Sequence, residues 1–353
     1  MALAVLSLFS PARLAVSDPG DALSDADARS VVDGMWGTLS SVHTGAGTAV
    51  FTWAYTPESR RQADFEFVFD YDSGHARVDR RFADDNQPFI RIDSPEETIV
   101  YYAGSSIVDR KPPNSATSIE GEDPFDVRVL ALIGFGDLTI SNDDMTGLIW
   151  EQFRANLATY PPPRVTAAEG GRLAITWEKS FLADPPGGAD HKYSLSKFTV
   201  FVDPREQFLP QRMEMFSGFG PAPQGIRGEL YSVTETKWNV VDGVPVPVDC
   251  VYDIVGTTKH AELHLKWKAV NGPIDPRPFT IEGLDLPAGT MIINDRLGPS
   301  IVESIVGRPS MDASVPSGGG AWRWTLTGAS IAALVAFFAC IIFFKKTRSR
   351  HDR

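Results

Sequence analysis

Apolar and polar residues alternate with a period of two in several long stretches of this chain. The clearest are Val50–Tyr55, Asp64–Asp70 and Glu262–Lys268. In Asp64–Asp70, three phenylalanines alternate mainly with acidic residues. Side chains point to opposite faces of a strand in turn, so each stretch predicts a half-buried β-strand with one wet face. Weaker alternation occurs at Ala76–Phe82, Pro88–Asp93, Thr98–Ala103, Ser106–Arg110, Leu173–Ser180, Tyr193–Val202, Arg212–Phe216, Leu230–Val241 and Val244–Val255. The pattern predicts about a dozen strands.

Turn-forming residues separate these predicted strands. Asp72-Ser73-Gly74 lies in one connection, and Asp242-Gly243 lies between two long alternating stretches. A two-residue Asp-Gly connection favours a hairpin of antiparallel strands. The sheet is therefore expected to be an antiparallel meander.

Helical periodicity interrupts the strand pattern in three places before the C-terminal region. These are Ala22–Val42, Pro124–Phe135 and Thr146–Tyr160. The first places Val31 and Met35 on one apolar stripe, as in a helix that packs against a sheet. The predicted secondary structure is thus mainly β with a few helices, and the predicted fold class is α+β.

The C-terminal region contains 21 uncharged residues from Trp324 to Phe344, followed at once by Lys345 and Lys346. At about 1.5 Å per residue the run is long enough for a helix to cross a bilayer, and a basic flank favours the cytoplasmic side. The sequence predicts a transmembrane helix over 321–344 and a cytoplasmic tail over 345–353. This makes the chain a single-pass inner-membrane protein with its main domain on the periplasmic side; a buried core helix is the alternative.

The beginning of the chain is apolar from Ala2 to Phe9. The stretch lacks a preceding positive charge and a clear cleavage site, two features of secretion signals. A signal segment over residues 1–20 remains the interpretation that fits an exported domain. An uncleaved membrane segment or a frayed terminus are the alternatives.

Composition limits what the exported part can be. Residues 21–270 are long enough for one large β-rich domain, and residues 271–320 form a Pro- and Gly-rich extension that ends in a stalk. The net charge of −12 argues against nucleic acid as a partner. Of the two cysteines, Cys250 and Cys340, the second lies in the predicted span, so no disulfide can form within the exported domain.

The order of one helix, about six strands, two helices and about six more strands resembles the bacterial LolA/LolB-like lipoprotein-carrier fold. The resemblance covers roughly Ala22–Val270 and includes the pieces Ala76–Arg80, Thr98–Tyr102 and Leu230–Ile254. It implies a strongly curved antiparallel sheet that forms an incomplete barrel, with the helices as a lid. A C-terminal anchor departs from the soluble carriers of that family.

The resemblance also implies an arginine that holds the lid closed. Arg77, Arg80 and Arg81 lie in the matching region, and their spacing does not choose among them. No residue role is carried over from the family for that reason.

A curved sheet that a few small helices cannot fill is expected to leave an apolar hollow. The residues predicted to line it and to bind a ligand are Phe51, Trp53, Tyr55, Phe65, Phe67 and Phe69. The expected ligand is the acyl chain of a lipid or lipoprotein, because burial of each CH₂ contributes about 0.8 kcal/mol. Alternation alone leaves open that these aromatic side chains form an ordinary packed core.

The sequence contains no G-x-S-x-G elbow, no phosphate-binding glycine loop and no H-E-x-x-H motif. His260 and His264 are too far apart on a strand to bind one ion, and Cys250 is expected to be a small buried residue. We therefore predict no enzyme activity, no metal and no cofactor. The alternative to a lipid-binding protein is a membrane-tethered envelope sensor or scaffold that acts through another membrane protein.

Overall fold

The computed structural model describes residues 20–307, apart from residues 55, 57–58, 84, 114, 116–125, 134–148, 183–192, 225 and 297–300. The described helices are α1 (Asp25–Leu39), α2 (Leu130–Ile133) and α3 (Ile149–Ala158). The strands are β1 (Thr44–Ala54), β2 (Arg61–Asp70), β3 (His75–Phe82), β4 (Asp85–Asp93), β5 (Thr98–Tyr102), β6 (Ile107–Lys111), β7 (Arg164–Ala167), β8 (Leu173–Leu182), β9 (Tyr193–Asp203), β10 (Leu209–Gly220), β11 (Glu229–Val241), β12 (Val244–Ile254), β13 (His260–Val270), β14 (Met291–Asn294) and β15 (Ile301–Ile305).

All fifteen strands belong to one sheet, which consists of two antiparallel meanders and an added edge. Strands β1 to β6 form the first meander, and β7 to β13 form the second. The two meanders are joined by antiparallel pairing of β1 with β13. The ends of these strands are tied by Asn271, which accepts a hydrogen bond from the His43 amide at 2.8 Å and donates one to the Ser41 carbonyl at 2.7 Å.

The hairpin between β11 and β12 turns at Asp242 and Gly243, as the Asp-Gly pair predicts. Both residues have positive φ, 52° and 82°, and Val241 pairs with Val244 across the turn. Two consecutive positive φ angles are typical of a turn whose twist matches antiparallel strands.

The face of the sheet that carries Phe67 on β2 and Met213 on β10 is covered by the helices, and we call it the inner face. Helix α1 begins after Ser24, whose hydroxyl accepts a hydrogen bond from the Asp27 amide. Its buried stripe of Val31, Met35 and Leu39 packs in one cluster with β7 to β10. The helix begins later than the predicted Ala22 because Ala22 forms a β-bridge with Thr166 of β7.

The opposite, outer face is covered at one end by the chain that follows β13. Residues 273–290 cross this face, and Phe279 and Leu284 pack with Ile90 and Ile92 of β4. Beyond this crossing segment, β14 pairs in parallel with β6 and β15 completes the edge. The described residues of the Pro- and Gly-rich extension (271–320) are thus structured: they cross the outer face and then add two strands to the sheet.

Arg77 of β3 fixes the crossing segment to the sheet. Its Nη1 donates to the carbonyls of Pro278 and Gly283 at 3.1 and 2.9 Å. Its Nε and Nη2 bind the Asp79 carboxylate at 2.6 and 2.7 Å. The side chain is 13% exposed, so these bonds are largely shielded from water.

The predicted fold class and localisation both require correction. The sheet is open and has fifteen strands, where an incomplete barrel of about a dozen was expected. The described residues include few helices, and none of those is long and apolar enough to cross a membrane. The single-pass localisation depended on such a helix at 321–344, which lies outside the described residues. The sequence prediction rested on length and hydropathy alone, which mark a candidate span without showing one.

We expect Arg77→Ala to lower the free energy of unfolding by about 2–3 kcal/mol, because it removes the donors of two carbonyls and the partner of Asp79. Hydrogen exchange should increase in residues 277–284, which lose their attachment to β3. Urea denaturation and exchange mass spectrometry measure the two effects.

Arg205→Ala is the matched control. Arg205 binds Asp203 in the same two-residue spacing, with contacts of 2.9 and 2.6 Å, but its side chain is 71% exposed. We expect a much smaller loss than for Arg77→Ala, because an ion pair whose arginine is exposed contributes little to stability. An equal loss from both substitutions would mean that Arg77 does not hold the crossing segment.

Candidate functional site

Aromatic side chains line the inner face of β1, β2 and β3, and we call this group the aromatic wall. It consists of Phe51 and Trp53 on β1, Phe65, Phe67 and Phe69 on β2, and Phe82 on β3. The strand register brings them together, since Ala49 of β1 pairs with Phe65 and Ala63 of β2 pairs with Phe82. The structure therefore places five of the six predicted ligand-binding residues in one cluster. Tyr55 lies outside the described residues.

One end of the aromatic wall is packed by the protein itself. Phe67 and Phe69 are 2% and 1% exposed and lie 5.3 and 6.1 Å from the Trp267 ring. A Cβ on Gly47 or Gly45 would come within 2.6 Å of these two rings, so the glycines of β1 make room for them. At this end, the aromatic side chains therefore form an ordinary packed core.

The other end of the aromatic wall is only half-buried. Phe51 and Trp53 stack with ring centroids 4.9 Å apart, and Trp53 meets Phe82 edge-on at 6.0 Å. Phe51 also contacts the buried Phe65 ring at 6.2 Å. Phe82 is not among the ligand-binding residues predicted from the sequence, although its place in the alternation of Ala76–Phe82 puts it on the same face as Arg80.

Arg80 is buried within this aromatic surface. Its guanidinium carbon lies 5.0 Å from the centroid of Phe82, 5.1 Å from Phe89 and 5.6 Å from Phe65. A cation over aromatic faces is attracted by their negative charge density. Of the three arginines considered above, only Arg80 is on the inner face: Arg77 binds the crossing segment and Arg81 is exposed.

A second buried charge on the inner face is neutralised by its neighbours. Arg91 of β4 binds both oxygens of Asp93 at 2.7 and 2.8 Å, and the Thr98 hydroxyl donates to the same carboxylate at 2.9 Å. The arginine and aspartate side chains are 2% and 6% exposed. Such a paired and hydrogen-bonded group is stable in a buried environment.

Residues 126–133 cross the middle of the inner face, and we call them the central segment. Arg128 binds Asp126 through two contacts of 3.0 and 2.7 Å, and its guanidinium lies 3.8 Å from the Tyr71 ring and 5.0 Å from the Trp150 ring. The Tyr71 hydroxyl accepts a hydrogen bond from the Val127 amide at 3.1 Å. Burial, with the Asp126 charge as a smaller cause, raises the pKa of Tyr71 well above its usual value.

The central segment contributes to two separate apolar clusters. Val127 and Leu130 pack with the aromatic wall, whereas Val129 and Leu132 pack with α1, α3 and strands β7 to β10. In this second cluster Trp177 and Phe198 stack at 5.0 Å. The helices therefore fill the inner face of β7 to β10, and the half-exposed rings are at the opposite end.

The histidines considered as metal ligands lie on β13 in a network of carboxylates. His260 contacts Asp253 at 2.7 Å and Glu262 at 3.0 Å, and His264 contacts Asp249 at 2.7 Å. No group of three metal-ligating side chains comes together in the part of the chain that the structure describes. Hydrogen bonds that the imidazole donates to Glu262, and then to Asp253, raise the pKa of His260, and the bond from His260 lowers the pKa of Glu262.

Cys250 is a buried residue of β12, as expected. Burial raises the pKa of its thiol to about 12, so the reactive thiolate is not formed near neutral pH. The proposed membrane-anchor residues Trp324, Phe344, Lys345 and Lys346 lie outside the described residues, as does Cys340.

Comparison with known proteins gives similar structures but no sequence family. No family model matches the chain, and no curated protein matches it. A DUF1329 family protein from Desulfovibrio piger has 12% identity and a TM-score of 0.41, covering 73% of this chain and 99% of that protein. A LolA superfamily protein from Nitrosomonas europaea has 10% identity and a TM-score of 0.38, covering 72% of this chain and 98% of that protein. At these values the likeness carries no information about a ligand, and the function proposed below rests on the contacts of this chain.

The pKa of His260 should lie above 6.5 in the folded protein. A raised folded pKa means that protonated His260 stabilises the fold below its unfolded pKa and that this contribution is lost as the pH rises through the folded value. We expect the stability difference between the native protein and His260→Gln to shrink from pH 6 to pH 9, which denaturation at a series of pH values measures.

Glu262→Gln provides the control for the cause of this shift. Removal of the strongest partner should move the His260 pKa back toward its ordinary value, as followed by NMR of the imidazole. An unchanged pKa in this variant would rule out Glu262 as the main cause.

Proposed function

We propose that this protein binds an apolar ligand, the acyl chain of a lipid or lipoprotein, at the half-buried end of the aromatic wall. The observation that carries the proposal is the contact group of Phe51, Trp53 and Phe82. Trp53 contacts both Phe51 and Phe82 on the inner face, and all three rings are only half-buried. Large aromatic side chains that are grouped and accessible are typical of sites for apolar ligands.

The energetics favour hydrocarbon over a polar ligand at this position. About six CH₂ groups lying across the three rings would contribute about 5 kcal/mol before the cost of ordering the chain. The rings offer no oxygen acceptor, and the only donor among them is the Trp53 indole nitrogen. The Arg80 guanidinium beside Phe82 is only 4% exposed and presents little surface to a ligand. A polar ligand would therefore lose its hydration at the three rings with few hydrogen bonds in return.

Phe67 and Phe69 have a supporting role in this proposal. Their rings are fully buried beneath Trp267, so they hold the strands of the aromatic wall in place and do not touch the ligand. The six residues predicted from the sequence thus divide into ligand contacts (Phe51, Trp53), a supporting set (Phe65, Phe67, Phe69) and Tyr55, which lies outside the described residues. The proposed activity is binding without covalent chemistry.

We expect Trp53→Ala to weaken binding of palmitate to the delipidated full chain by about tenfold or more, since it removes the largest accessible ring. Its effect on the free energy of unfolding should be smaller than that of Phe67→Ala, which we expect to be about 3–5 kcal/mol. Equilibrium binding of labelled palmitate and urea denaturation give the two values for each variant.

Tyr231→Ala is the control for loss of an exposed aromatic side chain. Tyr231 lies on β11, is 37% exposed, and points to the outer face because its neighbour Ser232 points inward. Palmitate binding should be unchanged in this variant. If Trp53→Ala and Tyr231→Ala bind palmitate equally well, the aromatic wall is not the binding surface.

A further inference from the structure

We infer, on the basis of the proposed function, that the inner face also contains a subsite for the ester or amide carbonyl of an acylated ligand. The subsite is formed by Ser232 and Thr234 of β11, which together with Thr236 form a row that we call the hydroxyl stripe. All three side chains point to the inner face and are 0%, 0% and 5% exposed. They form a polar row on a face that is otherwise largely apolar.

The strand register surrounds the hydroxyl stripe with large side chains. Thr234 pairs with Met213 on one side and Tyr252 on the other. Ser232 lies between Met215 and Ile254 in the same way. The stripe runs between the cluster of β7 to β10 and the cluster that contains the aromatic wall. A ligand that extends from one cluster to the other would cross it.

Two of the three hydroxyls lack a hydrogen bond to any described residue. The Ser232 Oγ and the Thr234 Oγ1 are buried and have no partner among the residues that the structure describes. The Thr236 Oγ1, in contrast, lies 3.6 Å from the Cys250 sulfur. Buried hydroxyls nearly always have a partner, and one without a partner destabilises the folded state. Valine would fill the same volume as threonine without this penalty, so the hydroxyls indicate a polar group that meets them in another state of the protein.

Helix α2 lies directly against β10, β11 and β12 and covers this region. Its described side chains, Leu130 and Leu132, have neither donors nor acceptors and cannot satisfy the hydroxyls below. The helix is four residues long and covers the sheet through the apolar side chains of Leu130 and Leu132, which are both buried. An acyl chain in the place of α2 would cover the sheet with an equally apolar group. A carbonyl in that chain would accept hydrogen bonds from the Ser232 and Thr234 hydroxyls.

Close packing alone is the competing explanation, since small residues on β11 let α2 approach the sheet. The two explanations differ in what they require of the oxygen atom. Packing requires the size of threonine, which valine retains, whereas the subsite requires its hydroxyl. Thr234→Val therefore separates them.

The experiment compares two lipids with the same chains: 1,2-dipalmitoylglycerol, which has two ester carbonyls, and its diether analogue with hexadecyl chains, which has none. The native protein should bind the ester about tenfold more tightly than the ether. Thr234→Val should lose most of this preference, bind the ether as tightly as before, and melt at a higher temperature because an unpaired buried hydroxyl is gone.

Thr236→Val is the matched control, because Thr236 already has a partner in Cys250. This variant should keep the preference for the ester, and Ser232→Ala should reduce it as Thr234→Val does. Equal binding of ester and ether by the native protein, or a preference that survives in Thr234→Val, would overturn the subsite and leave acyl-chain binding intact. If the native protein binds neither lipid nor palmitate, the proposed function fails and the subsite with it.

Discussion

The central constraint on this structure is the burial of the apolar inner face of a fifteen-stranded sheet. Open sheets of this size curl or are covered by other elements, because a wide apolar face cannot remain in water. The described helices have 15, four and ten residues, which is little for such a surface. The chain uses α1 and α3 on β7 to β10 and places the short central segment between that region and the aromatic wall. The half-exposed rings of Phe51, Trp53 and Phe82 lie at the end that the described helices reach least.

Charged residues on the inner face are compatible with this burial because each is held by specific neighbours. Arg91 has Asp93, Arg128 has Asp126 and the Tyr71 ring, and Arg80 lies among three aromatic rings. The hydroxyl stripe differs from these groups, since Ser232 and Thr234 have no such neighbour in the described part of the chain. This contrast between satisfied charges and unsatisfied hydroxyls is the reason to assign the stripe a role in binding.

Local patterns predicted the long strands well, because alternation over eight or more residues is set by the side chains themselves. Phe65, Phe67 and Phe69 share a face as expected, and Asp242-Gly243 forms the predicted hairpin turn. The strands β7 and β14 have four residues each, too few to establish a period of two, and β15 reads Ile-Val-Glu-Ser-Ile, which does not alternate; these strands were missed. The parallel pairing of β14 with β6 depends on a long crossing connection that no local signal encodes.

The candidate site was predictable in its residue types but not in its depth. Alternation places both Trp53 and Phe67 on the inner face. It does not show that Phe67 is buried by Trp267 and by the space that the glycines of β1 leave, whereas Trp53 is only half-buried. Buried arginines were also beyond reach, since a charge in a strand is normally assigned to the wet face. Hydropathy at 324–344 suggested a spanning helix from composition alone, and the described residues contain none.

The junction of the two meanders also affects how this protein is made. His43 and Asn271, which close the ends of β1 and β13, are 228 positions apart in the chain. At synthesis rates of about 5–20 residues per second, β1 waits about 10–45 s for its partner. During that interval the β1 edge, with the phenylalanines of β2 beside it, is open to pairing with other nascent chains. A chaperone that holds the nascent chain during this interval should therefore matter more to the yield of folded protein than its final stability does.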